Sequence, residues 1–211
     1  MAINNSTVNV VPSGSAILPD LIGLLRKLSP NAKGVASCSP DVYQEVVLRL
    51  NEFLLRSYTL VESIGQLTRI SPSHDAGIFM DGMGQLQCGA AQLIQSLADE
   101  KRIPFPNRPF ITTAPFRNFV FAAAWCGPGA DFEENMLSEL ARLCLSIIET
   151  ESVTTCALLE TLNETIACGE ISQQEVSGVV LAVSEWAGLV SSAYTCHGEA
   201  NYRLKNEMKA A

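Results

Sequence analysis

The chain has 211 residues, of which 47% are hydrophobic and only 17% charged, with a formal net charge of −8. That length fits one sizeable domain or two small ones, and the charged share lies below the ~25% usual for globular proteins. With 14 scattered basic residues and an acidic balance, a nucleic-acid partner is not expected, because affinity for phosphate comes from clustered Lys and Arg.

Residues 1–16 read as a flexible N-terminal arm rich in Asn, Ser and Val. They lack a basic segment followed by an apolar core, so no secretory leader is expected. The arm and its continuation hold no acid before Asp20. In that respect the segment resembles the N-terminal signals that guide bacterial effectors into contact-dependent secretion. A short helix is predicted over 17–29, with Pro19 at its start and Leu21, Leu24, Leu25 and Leu28 on one face.

Ser39-Pro40-Asp41 is a helix start: a cap, a proline at the first position and an acid for the dipole. The helix runs to about Ile70, where Ser71-Pro72-Ser73 breaks it. Another follows from His74 to Lys101, with Phe79, Met83, Leu86, Leu93 and Leu97 on its buried side. It carries Gly77, Gly82, Gly84 and Gly89, each costing up to ~1 kcal/mol against alanine in a helix. The reason expected is a smooth stripe for close approach of a helix or ligand, or else a kink.

Residues 104–113 read as a proline-rich connector between sub-units 17–103 and 114–211 of one helical domain, 17–211. The segment Ala114–Cys126 is apolar nearly all round, as a helix inside a bundle would be. Asp131 with Glu134 suggests a capping box opening a helix to Ala167, with a weak point over Thr150–Thr155. Ser172 with Glu175 opens the last helix, which reaches about Lys209. A link of four residues, Gly169–Ser172, forces the two to lie antiparallel. Along the last helix Val176, Val180, Val183, Ala187, Val190, Tyr194 and His197 recur at spacings of four and three, and are taken as its inner face. The longest strongly apolar run is Phe119–Cys126, so no membrane span is expected.

The fold expected is therefore all-α, a bundle of about four long helices and two shorter ones. Its chemistry is sparse. Seven cysteines occur without a C-x-x-C pair, which disfavours zinc knuckles and thioredoxin-like sites and suggests free thiols in a reducing, cytoplasmic setting. The best cofactor candidates are His197 and Cys196. Ala193-Tyr194-Thr195-Cys196-His197 resembles half a haem-attachment motif, with alanine where the first cysteine belongs. The plain alternative is a histidine near a helix end, interacting with the dipole. No metal site, catalytic residue or cofactor is assigned. Neither histidine has Glu three residues before it, as a di-iron bundle needs. Ser73-His74-Asp75 are consecutive, and three consecutive residues cannot converge as a triad.

The function expected is non-enzymatic: protein–protein interaction or self-assembly, with Gly77, Gly82, Gly84, Gly89, Trp125 and Trp186 as interaction residues. Two alternatives stand beside it. One is an exported bacterial effector or host-directed protein that leaves the cytoplasm by a signal-peptide-independent route. The other is a ligand- or haem-binding bundle around His197.

Overall fold

A computed structural model describes residues 16–107, 113–127, 129–131 and 134–210, with side chains as far as Asn206. Residues 1–15 of the arm expected over 1–16 lie outside the described residues, as does the middle of the proline-rich connector. Six helices follow one another: α1 (Leu18–Leu25), α2 (Pro40–Ile70), α3 (His74–Glu100), α4 (Pro115–Trp125), α5 (Glu134–Cys168) and α6 (Gln173–Ala210). The architecture is all-α, and among the described residues the single β feature is an isolated bridge between Val35 and Arg102.

The capping signals of α2 and α6 act where the sequence places them. The Ser39 hydroxyl accepts the Val42 N–H at 3.4 Å and starts α2. At the head of α6 the capping box is reciprocal: Ser172 N–H donates to Glu175 at 2.8 Å, and Glu175 N–H donates to the Ser172 hydroxyl at 3.3 Å. These bonds hold the exposed Glu175 carboxyl below its ordinary pKa. Gly169, with φ +71°, turns the chain between α5 and α6 in the left-handed region that glycine enters without penalty.

Two local expectations are corrected. The first helix ends at Leu25, four residues short of the predicted end. Lys27 and Leu28 donate to carbonyls three residues back, and Ser29 turns to positive φ, so the chain leaves the helix in a tight turn. The weak point in α5 is an unbroken helix. There Thr150, Ser152 and Thr155 each bond back to the carbonyl four residues earlier, which keeps their hydroxyls within the helix instead of competing with it.

The buried side chains form one cluster drawn from all six helices. As its apolar sequence predicts, α4 lies inside it, with every residue from Phe119 to Trp125 buried. Around it pack α3 and α5, while α6 lies between α5 and α2 with α1 across its flank. The predicted inner face of α6 is wrong by one position. The buried row is Val179, Ala182, Trp186, Leu189, Ala193, Cys196 and Ala200; of the predicted row only Val183 is buried, whereas Val180, Ala187 and Tyr194 are exposed. Apolar residues occur all round α6, so a repeat of three and four fits both rows. The largest side chain decides between them: Trp186 packs between Phe79 and Phe116, at ring-centroid distances of 4.9 and 5.2 Å.

Candidate interaction surface

The chemical candidates are scattered. His197 is half-buried beside the inner row of α6, and its Nε2 pairs with the Asn201 amide at 2.9 Å. Its neighbour Cys196 points the other way, into the core, so the two do not form a common site. There the Cys196 thiol meets Cys126, which also meets Cys144, joining the end of α4 to α5 and α6. The hydrogen bond with Cys144, and then burial, pushes the Cys126 thiol well above its ordinary pKa, and the bond with Cys126, and then burial, does the same to Cys196. Protonated, buried thiols are poor nucleophiles and poor metal ligands. Among the described residues, no three His, Cys, Asp or Glu side chains are grouped to hold a metal ion.

A cleft of about 490 Å³ lies beside Trp125, lined by Lys33, Asp99, Glu100 and Arg102. Arg102 is paired with Glu100 at 3.3 Å on its exposed rim. The charges that line it are of both signs.

The glycine stripe of α3 divides in two. Gly82 and Gly89 face inward and let neighbours approach. A Cβ on Gly82 would strike the Trp186 ring, and one on Gly89 would lie 2.9 Å from the Arg117 carbonyl oxygen of α4. Gly77 and Gly84 face outward with nothing within 4 Å. The two tryptophans are core residues of the chain's own fold. The indole N–H of Trp125 donates to the Pro104 carbonyl at 3.3 Å, and that of Trp186 to Glu151 at 3.2 Å.

The surface that stands out is the outer side of the α5–α6 hairpin, whose α6 half carries Val180, Ala187 and Tyr194, expected on the inner face. The Trp186–Glu151 bond fixes the register of the two antiparallel helices. On α5, Leu145, Leu159 and Ile166 are exposed at multiples of seven, with exposed Ser152 in the same file and exposed Arg142, Glu149, Glu160 and Glu164 beside it. On α6 every exposed residue from Ser177 to Tyr202 is uncharged: Ser177, Val180, Ser184, Ala187, Ser191, Tyr194, Thr195, Gly198 and Tyr202. The two exposed files adjoin. Half-buried Ile148 and Thr155 lie between the buried and exposed rows of α5, and half-buried Val190 and His197 lie between those of α6, so these four line the seam. The charges of this stretch of α6 are used elsewhere. Glu185 is buried, and Glu199 turns to Arg26 at 3.8 Å.

The exposed leucines of α2 have a different setting. Leu48 and Leu55 are interleaved with Glu45, Arg49 and Glu52, which form ion pairs at 3.0 and 2.7 Å. By length and composition, α6 is also apolar enough to cross a membrane, and 39% of its most apolar stretch is buried within the fold. The sequence reading missed this because the apolar residues are interrupted by Ser and Gly rather than forming a run. No protein-family model, curated protein or solved structure matches the chain.

Proposed function

We propose that the protein acts by helix-mediated contact with another protein chain, through the outer side of the α5–α6 hairpin, centred on the uncharged file of α6. The observation that carries this reading is the file of uncharged, partly apolar exposed residues of α6 from Ser177 to Tyr202 in a chain whose net charge is −8. An acidic protein held apart from others by its charge leaves one long face without that protection. Depletion of charge, with aromatic side chains present, is the compositional mark of interface cores on folded proteins. Helices laid side by side gain from such a face through apolar burial, at about 25 cal/mol per Å².

Expression of the chain with a photo-activated cross-linking residue at position 187 or 159 tests the reading. Adducts of defined mass should form from both positions, not from position 52 on α2, and should vanish when Val180→Glu is added. Equal labelling from all three positions, or none from 159 and 187, would refute it.

A further inference from the structure

We infer that Cys126, Cys144 and Cys196 form an oxidation site, in which a disulfide joins Cys126 to one of its two neighbours and the third thiol stays reduced. The site lies on the inner side of the hairpin, away from the face proposed above, and does not depend on it.

Three segments bring the thiols together. Cys126 closes α4, its N–H bonded to the Ala122 carbonyl at 2.9 Å. Cys144 stands in the buried row of α5 with Leu137, Leu140, Ile147 and Glu151. The Trp186–Glu151 bond sets the hairpin register. Cys144 lies two turns before Glu151, so it is level with the part of α6 two turns beyond Trp186, within a turn of Cys196. Arg203 follows Cys196 by two turns in the same file and donates to the Gly127 carbonyl at 3.0 Å. That bond seats this end of α6 against the residue next to Cys126. All three cysteines are fully buried, and Cys126 is the shared member, hydrogen-bonded to Cys144 and to Cys196. Cysteine packs as a small hydrophobe, so one buried thiol needs no further reason. Three from separate segments, joined through one sulfur, place a bond-forming pair in the core, and every such pair includes Cys126.

Hydrogen peroxide is the oxidant small enough for this corner. A cysteine thiol gives up its proton, its sulfur attacks a peroxide oxygen, and the O–O bond breaks. Hydroxide leaves and takes that proton, giving water and a sulfenic acid. The neighbouring thiol then attacks the sulfenic sulfur, the S–O bond breaks, and a second water leaves with the second proton. Two sulfurs are oxidised by two electrons in all, and one peroxide is reduced to two waters. In the closed fold the cluster is shielded, and Cys126 and Cys196 are held protonated, so the reaction waits on opening of the corner. Arg203 holds it shut on the carbonyls of Gly127 and Ala130, and Glu199 pairs with Arg26 beside it at 3.8 Å.

The test takes the full chain, caps its accessible thiols with N-ethylmaleimide under native conditions, adds hydrogen peroxide and maps the peptides without reduction. The wild type should lose two hydrogens in a reducible link between the Cys126 peptide and that of Cys144 or Cys196. Its melting temperature should rise by roughly 10 °C, as a cross-link restricts the unfolded chain. Cys144→Ala and Cys196→Ala should each still form the link through the remaining neighbour. Cys126→Ala should form none, and neither should the double variant Cys144→Ala with Cys196→Ala, which keeps Cys126 without partners. Arg203→Ala should form the link faster than the wild type. A wild type and an Arg203→Ala variant that both stay unlinked overturn the proposal. So does a Cys144–Cys196 link in Cys126→Ala, or a wild-type Cys126 that passes to the sulfinic acid without a link.

Discussion

Glu185 accepts the backbone N–H of Ile17 at 2.7 Å, across 168 residues of chain. Its other oxygen takes the N–H of Leu18, also at 2.7 Å, so one buried carboxylate closes the start of α1 against the middle of α6. Arg56 of α2 approaches the same carboxylate at 3.5 Å. Three helices meet there, on the side of α6 opposite the exposed face.

Removal of that carboxylate should loosen α1. Glu185→Ala leaves two buried N–H groups without acceptors and Arg56 buried without a counter-charge, so a loss of about 3 kcal/mol is expected. Urea unfolding checks it. A loss within about 0.5 kcal/mol would mean that water replaces the carboxylate and that the junction contributes nothing net.

Burial raises the Glu185 pKa, against the opposing pull of the Ile17 and Leu18 N–H groups and of Arg56. The folded chain therefore holds this proton more tightly than the unfolded chain. The associated stability is fully present below the ordinary glutamate pKa and is lost as pH rises through the raised value. The stability gap between wild type and Glu185→Gln should narrow over that rise. A gap that widens would show that the N–H groups and Arg56 outweigh burial.

The two halves of the glycine stripe should respond in opposite directions. Gly82→Ala and Gly89→Ala force a methyl against the Trp186 ring and the Arg117 backbone, and each should cost about 1–3 kcal/mol. Gly77→Ala and Gly84→Ala meet open space and should stabilise α3 by up to ~1 kcal/mol each. Thermal unfolding of the four variants checks both signs, and a uniform response would contradict the division.

Trp186 joins the core to the hairpin register through its ring and its N–H. Trp186→Ala should cost about 3–5 kcal/mol by cavity formation. Trp186→Phe keeps most of the ring volume but leaves the Glu151 oxygen unpaired, and should cost about 1–3 kcal/mol. Equal losses for the two would place the whole effect in the hydrogen bond.

Much of the architecture is legible in the sequence because local rules decide it. Ser39-Pro40, Ser71-Pro72 and the Ser172–Glu175 box mark helix ends through hydrogen bonds and ring sterics that need no tertiary partner. The face of α6 was not legible. Val180 and Val179 sit in files of equal period, and the choice between them depends on Trp186 meeting Phe79 and Phe116, residues about 70–107 positions away in the chain. The same holds for Gly82 and Gly84, two residues apart and facing opposite ways. The signal within reach was Glu185. A charged residue in an apolar helix marks the side that must find partners, and so the opposite side from the free face.

Tyrosine footprinting tests the central claim most directly. In the isolated chain Tyr194 and Tyr58 are equally exposed, at 69% and 68%, one on the hairpin face and the other on α2. In the protein's native setting, chemical labelling should spare Tyr194 and mark Tyr58. Equal labelling of both would show the hairpin face uncovered and would contradict the account.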